Sequence, residues 1–536
     1  MLAIHRLAPA AALLFALAPQ PTAAAQIVHP DNTLEALTPQ PSERFGENIA
    51  VDGDRMVVGA PRNGELGVLS GAAYFFERAP GGDWVQTQKL FAPIAPGLFT
   101  SFGTSVAIDG DRALVSTFQG YVAAYERGAG GNWNLDGTLD KPSSAAIGYG
   151  TTVALEGDRA VVACTSTGLG GFGPGELYVF ERGPGGWVFD ATIQSTANGP
   201  SSGFGITIDL DGDQLVAGAA KDPASPLPSS GLVHLARRNG PGDWSFVGQI
   251  AEPVPEAGAE FGTVVALDAG RLFVGAIRGD GAVLDGGEVH EFVAGPGGFA
   301  HVGAITSGDT QTGDRFGSNL AFDGDLLVVG AEEAVGAGGV SGGAAYLFGR
   351  RTDGSWFRSA RVELESQNSV DDIGFFAGTT ITVEGDAVLL GAPGAGGHGL
   401  IAQLEVGTLL HGDTTIASTT GGAQSLSLRT GAARAGDAYL VVGSATGTTP
   451  GTPLGGGATL PLVVDPYTLQ TTGLGAPIAA PLGVLGPDGE AESVFFATQP
   501  VAAAFVGLTV WHAALTFDLV TFEVFATNAV AVELVP

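Results

Sequence analysis

The sequence predicts an all-β protein in which a seven-bladed β-propeller of four-stranded antiparallel blades is followed by a β-sandwich domain. Three observations carry this prediction. A short phrase with an acidic turn, such as "AVDGDRMVVGAP", occurs seven times; an aromatic–glycine pair precedes each clear copy; and a glycine turn before an aromatic residue ends most units. Long repeats that each resemble one small sheet are typical of stacked or ring-shaped folds.

Composition limits the classes of protein that this chain can form. The 536 residues include 86 glycines and only 15% charged residues, which favours short apolar strands joined by many turns. The 23 basic and 55 acidic side chains give a net charge of −32. Because this charge repels phosphate backbones, we expect no nucleic-acid partner.

The amino terminus reads as an export signal. Arg6 precedes an apolar stretch over residues 7–18, and Ala23 and Ala25 are small residues at the usual positions before a cleavage site. Residues 1–25 are therefore predicted to be a signal peptide, and the mature chain to be secreted or displayed on a cell surface. Its single cysteine, Cys164, cannot form an internal disulfide, so stability must come from packing.

The repeated features recur in register roughly every 55 residues. The units open with the pairs Phe45-Gly46, Phe102-Gly103, Tyr149-Gly150, Phe204-Gly205, Phe261-Gly262 and Phe316-Gly317. The turn positions are Asp54, Asp111, Asp158, Asp213, Gly270, Asp325 and Asp386. The late glycine turns end at Trp84, Trp133, Trp187, Trp244, Phe299 and Trp356.

Each unit contains four short segments with strand character. In the first unit these are "ENIAVDG", "RMVVGAP", "GAAYFFER" and "WVQTQKLF", which are rich in β-branched and aromatic residues and are separated by turn residues. A four-stranded sheet cannot cover both of its faces alone. Seven such sheets packed face to face and closed into a ring leave only short, protected edges.

The seventh unit lacks its fourth strand, and the sequence suggests where that strand comes from. The segment "TLEALTPQPSERFG", residues 33–46, resembles the ends of other units. We therefore predict that residues near 33–37 form the outer strand of the last blade, paired with the strand near residues 399–406. The predicted propeller then spans residues 26–406.

The character of the chain changes beyond this point. Residues 407–536 lack lysine and show alternating apolar strands with turn signals at short spacing, which predicts a β-sandwich. The uncharged stretch 493–517 is long enough to cross a bilayer but alternates like strands, so we predict no integral membrane span.

The order of an aromatic–glycine pair, an acidic turn and "VGAP" resembles the FG-GAP repeat of integrin α-subunit propellers and of many secreted bacterial proteins, over about residues 45–406. The resemblance implies an extracellular propeller. It also implies that calcium is bound in some repeats, because many members hold this ion in a loop of the type D-x-[DN]-x-D-G-x-x-D.

The acidic turns of this chain depart from that loop. The best copy, with Asp209, Asp211 and Asp213, matches the first three ligand positions, but no later residue supplies the remaining oxygens that calcium requires. The sequence therefore favours Asp-Gly as a two-residue hairpin turn and predicts no cofactor. Calcium at one of the degenerate turns is the alternative.

No catalytic, cofactor-binding or metal-binding residue is predicted. The histidines of the mature chain do not form the spacings of common metal sites, and no G-x-S-x-G nucleophile motif is present. The loop residue His398 is the one considered for ligand contact, and the "RGD" at residues 278–280 is interpreted as a chance match. These histidines are His29, His234, His290, His301, His398, His411 and His512.

The connections between second and third strands vary most, at residues 62–71, 221–231, 278–287 and 332–343. Variable loops on one face of a rigid scaffold are usual binding sites. The preferred function is a non-catalytic binding or adhesion protein that engages an extracellular protein or glycan. The alternative is a secreted hydrolase or lyase that acts on extracellular polysaccharide, which a cluster of ionisable side chains in the central channel would favour.

Overall fold

The computed structural model describes most of the chain up to residue 405 and the strands beyond it. The described residues are 27–28, 32–79, 83–118, 120–142, 148–165, 175–194, 202–281, 283–335, 342–350, 354–363, 381–385, 387–405, 409–412, 415–417, 422–429, 438–444, 452–453, 459–460, 478–479, 482–484, 490–497, 509–517, 524–526 and 530–535. The predicted signal peptide lies outside these residues.

Seven antiparallel sheets follow one another along the chain, as predicted. In order from the inner to the outer strand, blade 1 contains Asn48–Asp52, Arg55–Ala60, Ala72–Arg78 and Trp84–Leu90, and blade 2 contains Val106–Asp109, Arg112–Ser116, Tyr121–Arg127 and Trp133–Asp140. Blade 3 contains Tyr149–Glu156, Arg159–Cys164, Glu176–Gly183 and Gly186–Gln194, and blade 4 contains Ile208–Asp211, Gln214–Ala219, Leu232–Gly240 and Asp243–Ile250.

The remaining blades follow the same order. Blade 5 contains Phe261–Asp268, Arg271–Ala276, Glu288–Gly295 and Gly298–Ile305, and blade 6 contains Phe316–Asp323, Leu326–Ala331, Ala344–Arg350 and Trp356–Val362. Blade 7 contains Ile381–Glu384, Ala387–Ala392 and Leu400–Glu405, with a short 3-10 helix at Ala395–Gly397.

The outer strand of blade 7 comes from the amino-terminal part of the chain. Asn32–Leu34 pairs antiparallel with Leu400–Glu405, in a register that places Leu34 opposite Ile401. The strand therefore ends at Leu34, before the end of the predicted segment, because the chain must then turn towards Phe45 and blade 1. A second short strand, Ile27–Val28, pairs parallel with the outer strand of blade 6.

The hydrophobic core lies between the blades. Each of the seven neighbouring pairs of blades shares a cluster of buried side chains, including the pair formed by blades 7 and 1. In that last cluster, Phe45 and Trp84 of blade 1 pack with Leu389 and Ile401 of blade 7. The ring is therefore closed by the same kind of contact that joins every other pair of blades.

The aromatic–glycine pairs are the principal joints between blades. The six aromatic residues Phe45, Phe102, Tyr149, Phe204, Phe261 and Phe316 are all buried. The amide of Phe261, for example, donates to the carbonyl of Ser230 in the preceding blade at 2.9 Å. Gly231 has φ +86°, and a Cβ there would lie 2.0 Å from the Phe261 carbonyl oxygen, so only glycine permits this approach.

The late aromatic residues also join blades. Trp133 stacks on Phe75 of the preceding blade at 4.8 Å between ring centroids, and Trp356 meets Phe273 edge-on at 5.5 Å. Five tryptophans share this position because a large ring at the start of the outer strand covers the neighbouring sheet.

The part beyond blade 7 is also composed of strands. One sheet has the order Leu409–Gly412, Gly422–Arg429, Glu490–Ala497 and Ile478–Ala479. The other contains Thr415–Ala417, Val530–Val535, Thr509–Phe517, Ala438–Ser444 and Leu482–Val484, with Val524–Ala526 paired to Thr509–Phe517; Thr452–Pro453 and Thr459–Leu460 form a separate pair. None of the helices that the structure describes is long and apolar enough to cross a membrane.

Candidate functional site

The acidic turns link most of the blades to the next. In six repeats the acid that ends the first strand, just before the turn, accepts a hydrogen bond from the backbone amide of the turn glycine in the following blade. The pairs are Asp52–Gly110 at 2.5 Å, Asp109–Gly157, Glu156–Gly212 at 2.9 Å, Asp211–Gly270 at 3.4 Å, Asp323–Gly385 at 2.8 Å and Glu384–Gly53 at 3.0 Å. The last pair joins blade 7 to blade 1 and so continues the series around the ring.

This arrangement corrects the predicted role of the Asp-Gly pair. The two turn residues are Gly53 and Asp54, and Asp52 is the last strand residue, paired with Arg55. Gly53 has φ +56°, which favours glycine at the first turn position. Because Asp52 lies at the end of the strand and not in the turn, its carboxylate is free to reach the neighbouring blade.

The residue after the turn contributes a second link. The guanidinium of Arg55 lies 3.2 Å from the carboxylate of Asp111 in blade 2, and that of Arg112 lies 3.0 Å from Asp158 in blade 3. Arg112 also donates to the carbonyl of Gly157 at 3.1 Å. The first acid and the arginine of the phrase "DGDR" therefore contact the next blade, whereas the second acid, as in Asp111 and Asp158, receives the arginine of the preceding blade.

The residues considered for calcium do not fit that ion. Asp209 accepts from the Leu267 amide at 2.7 Å, Asp211 accepts from Gly270, and Asp213 lies 4.0 Å from the Arg159 guanidinium. Across the described residues, no three acidic or histidine side chains at a turn converge on one point. Calcium needs six to eight oxygen ligands, and here the carboxylates already bind protein groups.

Replacing Asp52 with alanine should lower the free energy of unfolding by about 1 kcal/mol, because the amide of Gly110 loses a charged acceptor at a half-exposed site. Urea unfolding of the two proteins measures the difference. Asp54→Ala in the same turn is the matched control and should change stability by less than about 0.5 kcal/mol, because Asp54 is exposed and its carbonyl bond to Arg78 is retained. Equal losses would show that the first acid has no special role.

The inner strands line a central channel with a cavity of about 380 Å³. Its polar side chains serve contacts between blades: Thr152 donates to the Ile206 carbonyl at 2.9 Å, and Ser105 accepts from the Val153 amide at 3.1 Å. Asp209 is the channel carboxylate with a shifted pKa, raised by burial to about 7. The nearby carboxylates of Asp211 and Asp268 add to this rise, but among the described residues the three do not converge on one point.

Stability should fall as the pH rises through the pKa of Asp209. Its folded pKa of about 7 exceeds the ordinary value of 3.8, so the folded state retains a proton that the unfolded state releases. The resulting stabilisation is complete below pH 3.8 and is lost by about pH 7, with a slope of at most about 1.4 kcal/mol per pH unit. The difference in stability between the native protein and Asp209→Asn, followed by thermal unfolding between these pH values, should show this slope.

The histidines lie in different surroundings. His234 and Asp222 are both buried and lie 2.8 Å apart, whereas His398 is close to Glu35 at 3.2 Å in the joint between blade 7 and the amino-terminal segment. Burial lowers the pKa of His512 to about 3, and this residue lies in the strand Thr509–Phe517. His411 lies in the strand Leu409–Gly412, and His29 is outside the described residues.

One cluster brings a histidine and two carboxylates together. His290 Nε2 lies 3.2 Å from Glu288 Oε1 and 3.7 Å from Glu252 Oε1, and His290 Nδ1 lies 3.3 Å from His301 Nε2. Burial alone would lower the pKa of His290, but its interactions with the two glutamates outweigh burial and raise it to about 9.

This group was not predicted from the sequence. Glu288 and His290 are two residues apart on one strand and so face the same side, which the "GEVHEF" segment could have indicated. Glu252 lies in the connection from blade 4 to blade 5, and only the folded ring brings it to them.

Three of the four variable connections lie against the links between blades on one face of the ring, and residues 336–341 of the fourth lie outside the described residues. The amide of Phe99, in the link from blade 1 to blade 2, donates to the carbonyl of Val68 at 2.9 Å. Likewise Gly258 donates to Pro228 at 2.9 Å, and Gly313 donates to Leu284 at 3.2 Å. We call this side of the ring, defined by residues 62–71, 92–101, 118, 221–231, 251–260 and 283–287, the loop face.

An exposed apolar patch lies on the loop face where blades 1 and 2 meet. Its members come from three adjacent connections held together by backbone hydrogen bonds from Phe99 to Val68 and from Phe118 to Thr100, both at 2.9 Å. Their side chains are 44% to 62% exposed. The patch, which we call the blade 1–2 patch, consists of Leu66, Val68, Ile94, Leu98, Phe99 and Phe118.

The "RGD" segment is tied into its own loop. The carboxylate of Asp280 accepts from the Asp285 amide at 3.1 Å, and the guanidinium of Arg278 lies 3.7 Å from Glu260. Both charged side chains therefore have intramolecular partners.

Comparison with known families identifies two repeats. The FG-GAP repeat model matches residues 32–76 and 299–348, while the comparison with curated proteins gives no match. The first matched segment begins at the strand that completes blade 7 and the second at the outer strand of blade 5, so each match starts one strand before an aromatic–glycine pair. The matched repeats and the seven-bladed ring together support an FG-GAP propeller.

Proposed function

We propose that this chain is a secreted or cell-surface, non-catalytic binding protein, and that the blade 1–2 patch on the loop face contacts a protein partner. FG-GAP propellers are typical of extracellular proteins, which supports this location and a role in binding or adhesion. The apolar character of the patch favours a protein surface over a glycan, because aliphatic side chains gain more from burial against other apolar groups.

The conformation of Phe99 carries the proposal. Phe99 has φ +61°, a conformation that costs a bulky L-residue about 1 kcal/mol. Phe99 lies three residues before its aromatic–glycine pair. The residue at the same position is Gly258 in blade 5 and Gly313 in blade 6, with φ +87° and +86°. In blade 2 a large apolar side chain occupies this position and stays 62% exposed, so neither backbone preference nor burial in the ring accounts for it.

The surrounding side chains extend the same surface. Leu98 is also 62% exposed and precedes Phe99, while Val68 and Phe118 approach from the adjoining connections of blades 1 and 2. Exposed apolar groups that are contiguous and rimmed by polar residues mark interaction sites more often than scattered ones do. The net charge of −32 keeps the remaining surface soluble and disfavours acidic partners.

Purified chain from residue 26 onward should be screened against arrays of extracellular proteins and of glycans, with calcium and with a chelator. We expect binding to a protein ligand that calcium does not change. Phe99→Gly restores the residue of blades 5 and 6, so it should preserve or raise stability while weakening that binding at least about 10-fold.

The matched control is Val188→Ser, which removes an equally exposed apolar side chain from the outer strand of blade 3. Its affinity should equal that of the native protein. Binding that resists Phe99→Gly and Leu98→Ser, or binding to glycans alone, would contradict the proposed role of this patch. Turnover of an extracellular polysaccharide would contradict the non-catalytic assignment.

A further inference from the structure

We propose that Glu252, Glu288 and His290 form a binding site for a divalent transition-metal ion of the zinc type, which fastens the connection between blades 4 and 5 to blade 5. Neither the acidic turns nor the blade 1–2 patch is part of this site. The proposal is independent of the proposed binding function.

The three side chains converge from two separate segments. Glu288 and His290 extend from the same face of the strand Glu288–Gly295, and Glu252 follows the strand Asp243–Ile250. One ligand atom from each lies within 4.8 Å of the other two. Atoms that bind one zinc ion tetrahedrally at its usual bond lengths lie about 3.3–3.6 Å apart. The separations of 3.2 and 3.7 Å from His290 Nε2 are close to this range.

The chemistry of the ligands selects the type of ion. An imidazole nitrogen with two carboxylates suits zinc and similar transition metals, whereas calcium and magnesium prefer oxygen ligands in larger number. The single cysteine, Cys164, is buried in the second strand of blade 3 and does not contribute. Water can complete the coordination, because Glu288 is partly exposed while Glu252 and His290 are buried.

Charge balance supports a cation at this point. Neither glutamate forms an ion pair with an arginine or lysine among the described residues, and His290 is the only ionic partner of both. A protonated histidine would leave one negative charge uncompensated in this largely buried group. A divalent ion with a neutral histidine neutralises both carboxylates.

An unpartnered atom points into the same space. Glu252 is 3% exposed, and its Oε2 accepts from the Glu256 amide at 2.9 Å, but its Oε1 has no hydrogen-bond partner. That Oε1 is the atom that approaches His290. On the other side of the His290 imidazole, His301 Nε2 lies 3.3 Å from His290 Nδ1 and can accept a hydrogen bond from it. A metal-bound histidine commonly makes such a second hydrogen bond, which fixes its orientation.

The effect of the ion would be structural. Glu256, in the same connection, accepts from the Asp280 amide at 2.7 Å, so the segment 251–260 is already tied to the neighbouring loop of blade 5. A metal held by Glu252 would fasten the beginning of that segment to the third strand. The connection carries Val254, which is 76% exposed on the loop face.

The protein should be expressed with its own amino-terminal segment, purified and treated with a chelator. Zinc chloride is then titrated into it, and binding is measured by calorimetry and by thermal unfolding. We expect one zinc ion per chain, a higher unfolding temperature in zinc, and no comparable response to calcium. Glu288→Gln and His290→Gln should each weaken zinc binding at least about 10-fold. His234→Gln is the matched control, because His234 is also a buried strand histidine but has a single carboxylate partner, and its zinc affinity should be unchanged.

A measurement on the native protein tests the proposal even if the variants fail to fold. The X-ray absorption spectrum of the zinc-loaded protein should show one histidine nitrogen with oxygen ligands and no sulfur. Failure of the native protein to bind zinc, a spectrum with sulfur or several histidines, or binding that survives both folded variants would overturn the proposal.

Discussion

Replacing Gly399 with alanine should lower the free energy of unfolding by about 3 kcal/mol or more. Gly399 has φ +97°, and an added Cβ would lie 2.2 Å from the carbonyl oxygen of Phe45. This contact joins blade 7 to blade 1, where the Phe45 amide donates to the His398 carbonyl at 2.9 Å. The substitution would therefore combine backbone strain with a clash that only separation of the two blades relieves.

Gly53→Ala is the control for this prediction. Gly53 also has a positive φ, +56°, and bonds across the same pair of blades to Glu384, but a Cβ there meets nothing within 4 Å. It should cost about 1 kcal/mol from backbone strain alone. Urea unfolding of the three proteins measures both differences. Similar losses for Gly399→Ala and Gly53→Ala would contradict the close approach of blades 7 and 1.

Deleting residues up to 37 should destabilise the ring by on the order of 3 kcal/mol and promote association between molecules. The deletion removes the outer strand of blade 7 and leaves the edge of Leu400–Glu405 unpaired. It also removes Ala36 and Leu34 from the core cluster shared by blades 7 and 1. Thermal unfolding and light scattering measure the two effects.

A pair of cysteines introduced into the full-length protein tests the position of this strand without truncating the chain. Thr33 is opposite Ala402 in the register, so Thr33→Cys with Ala402→Cys should form a disulfide within one chain and raise stability. Thr33→Cys with Ala345→Cys, whose second site lies in blade 6, should not. A fully stable deletion variant, or no disulfide in the first pair, would show that the ring closes in another way.

The fold could be predicted because the sequence features that determine it are repeated in each unit. The aromatic residues at positions such as Phe45 and Phe261 must be buried, the glycines beside them must accept close backbone contacts, and the late tryptophans must cover a neighbouring sheet. Each copy reinforces the same interpretation, so the number of strands in a blade and the number of blades could both be read from the sequence.

The chemistry of single sites could be predicted less well. The link from Asp52 to Gly110 spans two repeats, and a motif read within one repeat gives only a hairpin turn. Glu252 meets His290 because blades 4 and 5 are neighbours, and no spacing along the chain encodes that meeting. The exposure of Phe99 depends on where the three connections lie. In each case the informative contact is between repeats.

We expect the acidic turns to join the blades into a closed ring without binding calcium. A crystal structure of the protein grown in millimolar calcium, with anomalous data to locate the ions, is the decisive measurement. We expect seven blades closed by the strand Asn32–Leu34, turn-glycine amides within hydrogen-bond distance of the preceding blade's acid at the six turns described above, and no ion at Asp209, Asp211 or Asp213. Calcium bound at these aspartates, or a different number of blades, would contradict this expectation.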